Sequence, residues 1–257
     1  MLDQNMRLSV IVPAYNEGNW ILNNLQEISR TIESFAPNYE IIAVNDGSVD
    51  NTWEQMQLAA IEDEHIRVNN LHSNAGKGRA LCMGTAMATG HLIAFCDADL
   101  DLHPRQLERF MKTMDTEQCD AVIGSKMHPD SCVEYPWYRY IVSWGYYWLL
   151  MILFRLNVKD TQTGLKLFRA DVIKPVMEQI LVKRFAFDIE VLAILNSRRY
   201  RIISVPITIV FQRKGMNSRI KFTDIVYTAQ DTLAIFYRLK ILNYYDKKMK
   251  DSIMHKV

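Results

Sequence analysis

Short apolar runs bounded by turn residues alternate along this chain with stretches whose apolar residues recur at helical spacing. Leu8 to Val12 reads as a buried strand that Pro13 ends, and Ile21, Leu25, Ile28, Ile32 and Phe35 then mark one face of a helix. Tyr39 to Val44 predicts a second strand, followed by a helix carrying Trp53, Met56 and Ala60 on one side. Ile66 to Leu71 is a weaker strand leading into an Ala-rich helix through about Ala88. Leu92 to Cys96 predicts another buried strand, then a helix with Leu107, Phe110, Met111 and Met114, then a strand at Ala121 to Gly124. Strand and helix alternate, so the expected fold class is α/β, a Rossmann-type, mostly parallel sheet flanked by helices.

Two later stretches are amphipathic. Trp137 to Leu156 is rich in Trp and Tyr, and its uncharged run from Tyr140 to Phe154 is bounded by Arg139 and Arg155. It is shorter than the roughly 20 residues that span a bilayer, so it is expected to lie in the headgroup plane. A helix from Phe222 to about Leu242 places Phe222, Ile225, Val226, Ala229, Leu233 and Phe236 on one stripe. Arg238, Lys240, Lys247, Lys248 and Lys250 then supply charge for anionic headgroups. A core or dimer role is the plainer reading of both. The division expected is 1–221 for the main domain, with the first amphipathic helix inside it, and 222–257 for the C-terminal helix and basic tail.

Composition narrows the class. The chain has 257 residues, 49% of them hydrophobic, and a formal charge of +1, an ordinary globular balance with no field suited to nucleic acid. Cys82, Cys96, Cys119 and Cys132 have no metal-ligand spacing, read as reduced and buried, and point to a cytoplasmic protein. The N-terminus lacks the pattern of a signal peptide.

The candidate chemistry collects where strands end. Asp97, Asp99 and Asp101 follow the Leu92 strand, at the edge where open α/β sheets place ligands. In an extended segment these alternate residues share a face, and three close anions call for a cation. Hard oxygen ligands on a turn suit Mg²⁺ or Mn²⁺ shared with substrate phosphates, although an acidic turn capping a helix is an equal reading. Tyr15, Glu17, Asp46 and Lys77 end neighbouring segments, jointly a set suited to a nucleotide held by base and ribose. Singly, Asp46 reads equally as a turn residue, Lys77 as a surface lysine and Tyr15 as a packing residue. Neither GxGxxG nor GxxxxGK[ST] is present.

IVPAYNE, VNDGSVDNT, NAGKGRA and CDADLD, in this order and spacing, resemble the nucleotide-sugar half of a family-2 glycosyltransferase with the GT-A fold. KDTQTGLKLFRADV, RFAFDIEVL and VPITIVFQRKGMNSRIK resemble its polyprenyl- and dolichyl-phosphate sugar transferases, glucosyl branch first and mannosyl branch next. The resemblance runs from Leu8 to Lys221. It implies transfer of a hexose from UDP-glucose or a GDP-mannose type of donor to a polyprenyl or dolichyl phosphate, with inversion. It places Pro13, Ala14, Tyr15, Glu17, Val44, Asp46, Lys77, Asp97 and Ala98 on the donor, and a Mg²⁺ or Mn²⁺ ion on Asp97, Asp99 and Asp101. Lys126, Arg213 and Arg219 to Lys221 become clamps on diphosphate and acceptor phosphate. Asp188 and Glu190 either position basic residues, serve as acids favoured at a helix N-terminus, or, for Asp188, act as base toward a hydroxyl acceptor.

There are departures from the family pattern. Asn45 replaces an Asp, Asp101 stands where mannosyl enzymes often have Gln, Lys126 replaces Arg, and Asn217-Ser218-Arg219 replaces Gly-Ser-Lys. Relatives often carry C-terminal transmembrane helices, so the expectation here is a peripheral protein on the cytoplasmic face, or one with a membrane-protein partner. Two rival readings are transfer to a glycan or polysaccharide hydroxyl, and a non-catalytic nucleotide-sugar-binding scaffold.

Overall fold

The computed structural model describes residues 6–132, 137–156, 158, 160–182, 186–210 and 222–246. Seven strands form one sheet. They are β1 (Leu8–Ala14), β2 (Tyr39–Asn45), β3 (Ile66–Asn70), β4 (Leu92–Phe95), β5 (Ala121–Ser125), β6 (Lys166–Arg169) and β7 (Ile202–Pro206). Their order is β3-β2-β1-β4-β6-β5-β7. All pairings are parallel except those of β6, which runs antiparallel between β4 and β5.

The helices are α1 (Ile21–Glu33), α2 (Thr52–Glu62), α3 (Lys77–Met87), α4 (Gln106–Glu117), α5 (Trp137–Phe154), α6 (Ala170–Met177), α7 (Phe187–Ser197) and α8 (Phe222–Phe236). A π-helical segment, Tyr237–Ile241, continues α8.

Period-two alternation within the strands builds two cores. Val10, Val12, Ile41, Ala43 and Ala94 face one layer with Ile28, Met56 and Phe110 of α1, α2 and α4. Ile11, Ile42, Val44, Ile93 and Phe95 face the other with Leu81, Phe154, Ile173, Phe187 and Ile235 of α3 and α5 to α8. The result is a three-layer, doubly wound sheet, as the alternation in the sequence implies.

Three local readings are corrected. Of the cysteines expected to be buried, Cys96 and Cys119 are, but Cys82 is half-buried and Cys132 is exposed. Pro13 does not end β1 but lies inside it, paired with Val44. Beyond Ile11 the strand has lost β4 as a neighbour and pairs with β2 alone, so the missing N–H is tolerated there. The helix from Phe222 stays α-helical only to Phe236 before the π-segment begins. On its described part Thr232, Ile235 and Leu239 are buried, while Leu233 of the expected stripe is exposed.

α5 and α8 lie against α7 and each other. The Tyr146 and Thr232 hydroxyls are 3.1 Å apart, and Phe154 meets Phe236 edge to face. Trp148, Ile152, Leu233, Tyr237 and Ile241 are left exposed on these two helices and the π-segment. Among the described residues no helix is long and apolar enough to cross a membrane.

Candidate functional site

The carboxyl ends of β1, β2, β4 and β5 form one rim, and antiparallel β6 begins on that rim because Lys166 pairs with both Phe95 and Ile123. The segments expected to hold a ligand therefore meet there.

Two loops are laced together first. The Asn16 N–H donates to Ser48 Oγ at 2.9 Å and the Val49 N–H to Asn16 Oδ1 at 3.0 Å. The Glu17 N–H donates to Thr52 Oγ1 at 2.8 Å and the Gly18 N–H to Asp50 at 3.1 Å. This lacing fixes the backbone after Ala14 and leaves the Tyr15 ring 41% exposed on the rim. Asn45, in place of the usual Asp, donates to Asn70 Oδ1 at 2.8 Å and accepts the Ser48 N–H. A neutral amide can do both, which a carboxylate cannot.

Asp46 is buried and accepts the Ala75 and Gly76 N–H groups at 2.8 and 2.9 Å. Burial outweighs those bonds and raises its pKa. Its first effect is thus to shape the loop that delivers Lys77, with a lone pair on each oxygen left for a ligand. Gly47 has φ +65°, and a Cβ there would come within 2.3 Å of the Ser73 carbonyl carbon, so the turn after Asp46 needs glycine.

Lys77, the first residue of α3, pairs with Asp97 Oδ1 at 2.5 Å. Burial disfavours the ammonium, but Asp97, Asp188 and Asp99 outweigh it and raise its pKa. For Asp97 burial opposes ionisation, while Lys77, Lys166 and Lys126 win and lower the pKa. Asp99 goes the other way: burial, then Asp97 and Asp101, push its carboxyl up to about 6. Its Oδ1 accepts the Asp101 N–H at 3.1 Å across Leu100, which has φ +60°. The three acids are therefore unequal: Asp97 is neutralised by a lysine, and Asp99 is crowded by its neighbours.

The second half of the chain supplies the rest. Asp160 accepts the Lys126 N–H at 3.0 Å, Thr163 Oγ1 at 2.7 Å and the Gln162 N–H at 3.1 Å, which ties the loop after β5 to the approach to β6. Lys166, 2% exposed, donates to the Thr163 carbonyl and to Asp188 Oδ1, the latter at 2.7 Å. Asp188 is thus paired with a buried lysine. Glu190, two residues on, projects from nearly the opposite side of α7.

Asp160 and Lys166 are residues that sequence reasoning missed; a lone Asp before Thr-Gln-Thr-Gly was the only signal for the first. Arg213, Arg219 and Lys221 lie outside the described residues.

Gly164 closes the floor. A Cβ there would fall 1.9 Å from Asp97 Oδ2. That atom ends a side chain, so Gly164→Ala is expected to fold normally but displace the carboxylate from Lys77. Any catalysis at this site should fall at least about tenfold, since small misplacements at a reacting centre are costly. An unshifted steady-state rate in the variant would contradict this geometry.

The donor set fits a hard divalent cation in a specific way. Asp97 and Asp101 both crowd the Asp99 carboxyl, and Asp97, expected as a ligand with them, also pairs with Lys77. Among the described residues no three His, Cys, Asp or Glu side chains converge as a metal cage. A pair completed by phosphate oxygens is the usual Mg²⁺ arrangement.

Residues 9–176 match the model of glycosyl transferase family 2. The dolichyl-phosphate beta-glucosyltransferase ALG5C of Trichomonas vaginalis is 33% identical over 251 residues, covering 92% of this chain and 73% of the relative. The Drosophila melanogaster dolichyl-phosphate beta-glucosyltransferase is 35% identical over 202 residues, covering 73% of this chain and 62% of the relative. Glycosyltransferase AglD of Haloferax volcanii is 28% identical, and the chain spans 38% of its length. Among solved structures, glucosyl-3-phosphoglycerate synthase from Mycobacterium tuberculosis with Mn²⁺, uridine diphosphate and phosphoglyceric acid superposes with a TM-score of 0.69 at 19% identity, covering 91% of this chain and 78% of that one. At that identity the likeness establishes the GT-A-like fold.

Proposed function

On the premise that the chain belongs to glycosyl transferase family 2, we propose that it moves glucose from UDP-glucose to a dolichyl or other polyprenyl phosphate, inverting the anomeric centre. The observation that carries this reading is identity of 32–35% to several dolichyl-phosphate beta-glucosyltransferases over most of the chain, matched by an acid-and-lysine rim in the fold.

The rim suits a reaction between two anions. A phosphate monoester is largely dianionic near neutral pH, its second pKa being about 6, so the acceptor oxygen attacks C1 without a strong base. That agrees with Asp188 being held by Lys166 rather than presented to a hydroxyl. Tyr15, Glu17 and the loop shaped by Asp46 hold the nucleoside end of the donor. Lys77 and Lys126 draw the diphosphate toward the rim, and Lys166 backs them with a fixed buried charge. Lys126, with Arg213 and Arg219, balances the negative charge of donor and acceptor together.

Asp99 and Asp101 would hold Mg²⁺ or Mn²⁺, which supplies Lewis-acid stabilisation of the departing diphosphate. One face of attack and one displacement give a β-linked product from an α-linked donor. The exposed apolar face of α5, α8 and the π-segment would bring the site to a membrane surface, where a prenyl chain resides. In this reading the protein acts peripherally on the cytoplasmic face, alone or with a membrane-protein partner.

The test is a transfer assay with labelled UDP-glucose and GDP-mannose, each offered polyprenyl phosphate or a glycan acceptor. Transfer from UDP-glucose to the lipid phosphate is expected. Excess chelator should remove at least 99% of it, a loss of about 3 kcal/mol of transition-state stabilisation, and Mg²⁺ or Mn²⁺ should restore it. Preferential transfer to the glycan would replace this reading with that of a hydroxyl-directed transferase.

A further inference from the structure

Glu190 is fully buried in the first turn of α7, and its carboxylate takes no part in the rim. Its Oε2 accepts the Leu181 and Val182 N–H groups at 3.0 and 2.7 Å. Its Oε1 accepts the Tyr245 hydroxyl, and Arg238 Nη2 at 3.1 Å. Arg238 Nε also donates to Tyr245 Oη at 3.0 Å, so acid, guanidinium and phenol close a triangle. Burial, and then Glu190, raise the pKa of the Tyr245 phenol and keep it a donor.

Arg238 comes from the π-segment. The extra residue in a π-turn re-aims side chains relative to a continuous α-helix, and such turns recur at functional sites. The same few residues carry Tyr237 and Ile241 on their outer, exposed side. One short segment therefore faces solvent with apolar groups and grips α7 with a charged one.

From α7 the contact continues to the rim by two routes. Asp188 holds Lys166. Phe187 packs against Phe95 and onto Gly78, where an added Cβ would meet its ring at 2.7 Å, directly beside Lys77. The C-terminal segment, the first turn of α7 and the two rim lysines are thus joined by a continuous set of contacts.

We propose that Glu190, Arg238 and Tyr245 form a positioning link through which docking of the C-terminal segment on a lipid surface sets the placement of Lys77 and Lys166. This rests on the lipid-phosphate transferase reading. Binding at the outer face can shift the equilibrium between two placements of the rim only if the link transmits a difference between them. Buried, satisfied charge networks are suited to this because they resist intermediate geometries.

The test uses the full chain, UDP-glucose, a short water-soluble prenyl phosphate, and vesicles of phosphatidylcholine and phosphatidylglycerol. Wild-type turnover should rise several-fold when vesicles are added. Tyr245→Phe keeps the ring and removes the hydroxyl. It should sediment with vesicles as wild type does and keep its vesicle-free rate, while its vesicle-dependent rise falls at least fivefold. In parallel, amide hydrogen exchange over residues 186–192 should slow on vesicle addition in wild type and not in the variant.

Equal stimulation of variant and wild type, or wild-type exchange that vesicles leave unchanged, would overturn the link. Absence of any transfer to prenyl phosphate would instead refute the function reading, and the exchange comparison alone would then decide the link.

Discussion

Asp99→Asn is expected to lower sugar transfer about a thousandfold, the scale at which a group stabilising transition-state charge acts, while the melting temperature holds or rises. Asp99 sits partly buried between Asp97 and Asp101, and burial with those two neighbours pushes its carboxyl up to about 6. The folded chain therefore carries an acid that its surroundings disfavour. Removing the charge relieves repulsion and leaves the Asp97–Lys77 pair in place. A residue whose loss costs activity but not stability is the mark of a site built for a ligand. Circular dichroism melting beside the transfer assay checks both halves. Retained activity in a well-folded Asp99→Asn protein would remove the acidic turn from the chemistry and revive the scaffold reading.

The opposite behaviour is expected of Glu40. It lies near the start of β2, at the rim of the sheet away from the site, and is 1% exposed. Oε1 accepts Ser9 Oγ, the Thr89 N–H and Thr89 Oγ1, each at 2.7 Å, and Oε2 accepts Arg67 at 2.8 Å. Burial opposes its ionisation, yet the bonds from Thr89, Ser9 and Arg67 prevail and hold its pKa at about 2, against an ordinary 4.5. The folded state binds fewer protons than the unfolded one across that interval. Its contribution is complete above about pH 4.5 and is lost as the pH falls toward 2.

Glu40→Ala should cost about 3 kcal/mol at pH 7, lowering the melting temperature by roughly 8 °C. The specific activity of the folded fraction should not change, because the site lies at the other end of the strands. In wild type the melting temperature should drop steeply below pH 4.5, and the variant should show a shallower acid dependence. Parallel acid profiles for the two proteins would show that Glu40 is not the group responsible.

These two acids indicate what a reader of the sequence can and cannot see. Asp97, Asp99 and Asp101 announce themselves by interrupting an apolar run at a strand end, and the alternation of runs gives the parallel half of the sheet. Glu40 is hidden, since one acid inside Tyr39–Asn45 looks like a solvent-facing strand position until Ser9, Arg67 and Thr89 are brought to it from elsewhere. The same holds for Lys166, whose partner Asp188 is 22 residues away.

β6 is only four residues long and carries charge at both ends, so its pattern is too short for a period to be read. Pro13 misled for a different reason. A proline ends a central strand, but β1 stops being central after Ile11, and only the register of its pairing with β4 reveals that.

The antiparallel insertion of β6 has a bearing on biosynthesis. While the chain is being made, β4 emerges long before the segment that lies beside it, and until Lys166 to Arg169 leave the ribosome Leu92 to Phe95 has an open flank. That flank is apolar and hydrogen-bond hungry, the kind of edge that recruits stray strands. A nascent chain stalled between β5 and β6 would thus leave this edge of β4 open to stray strands.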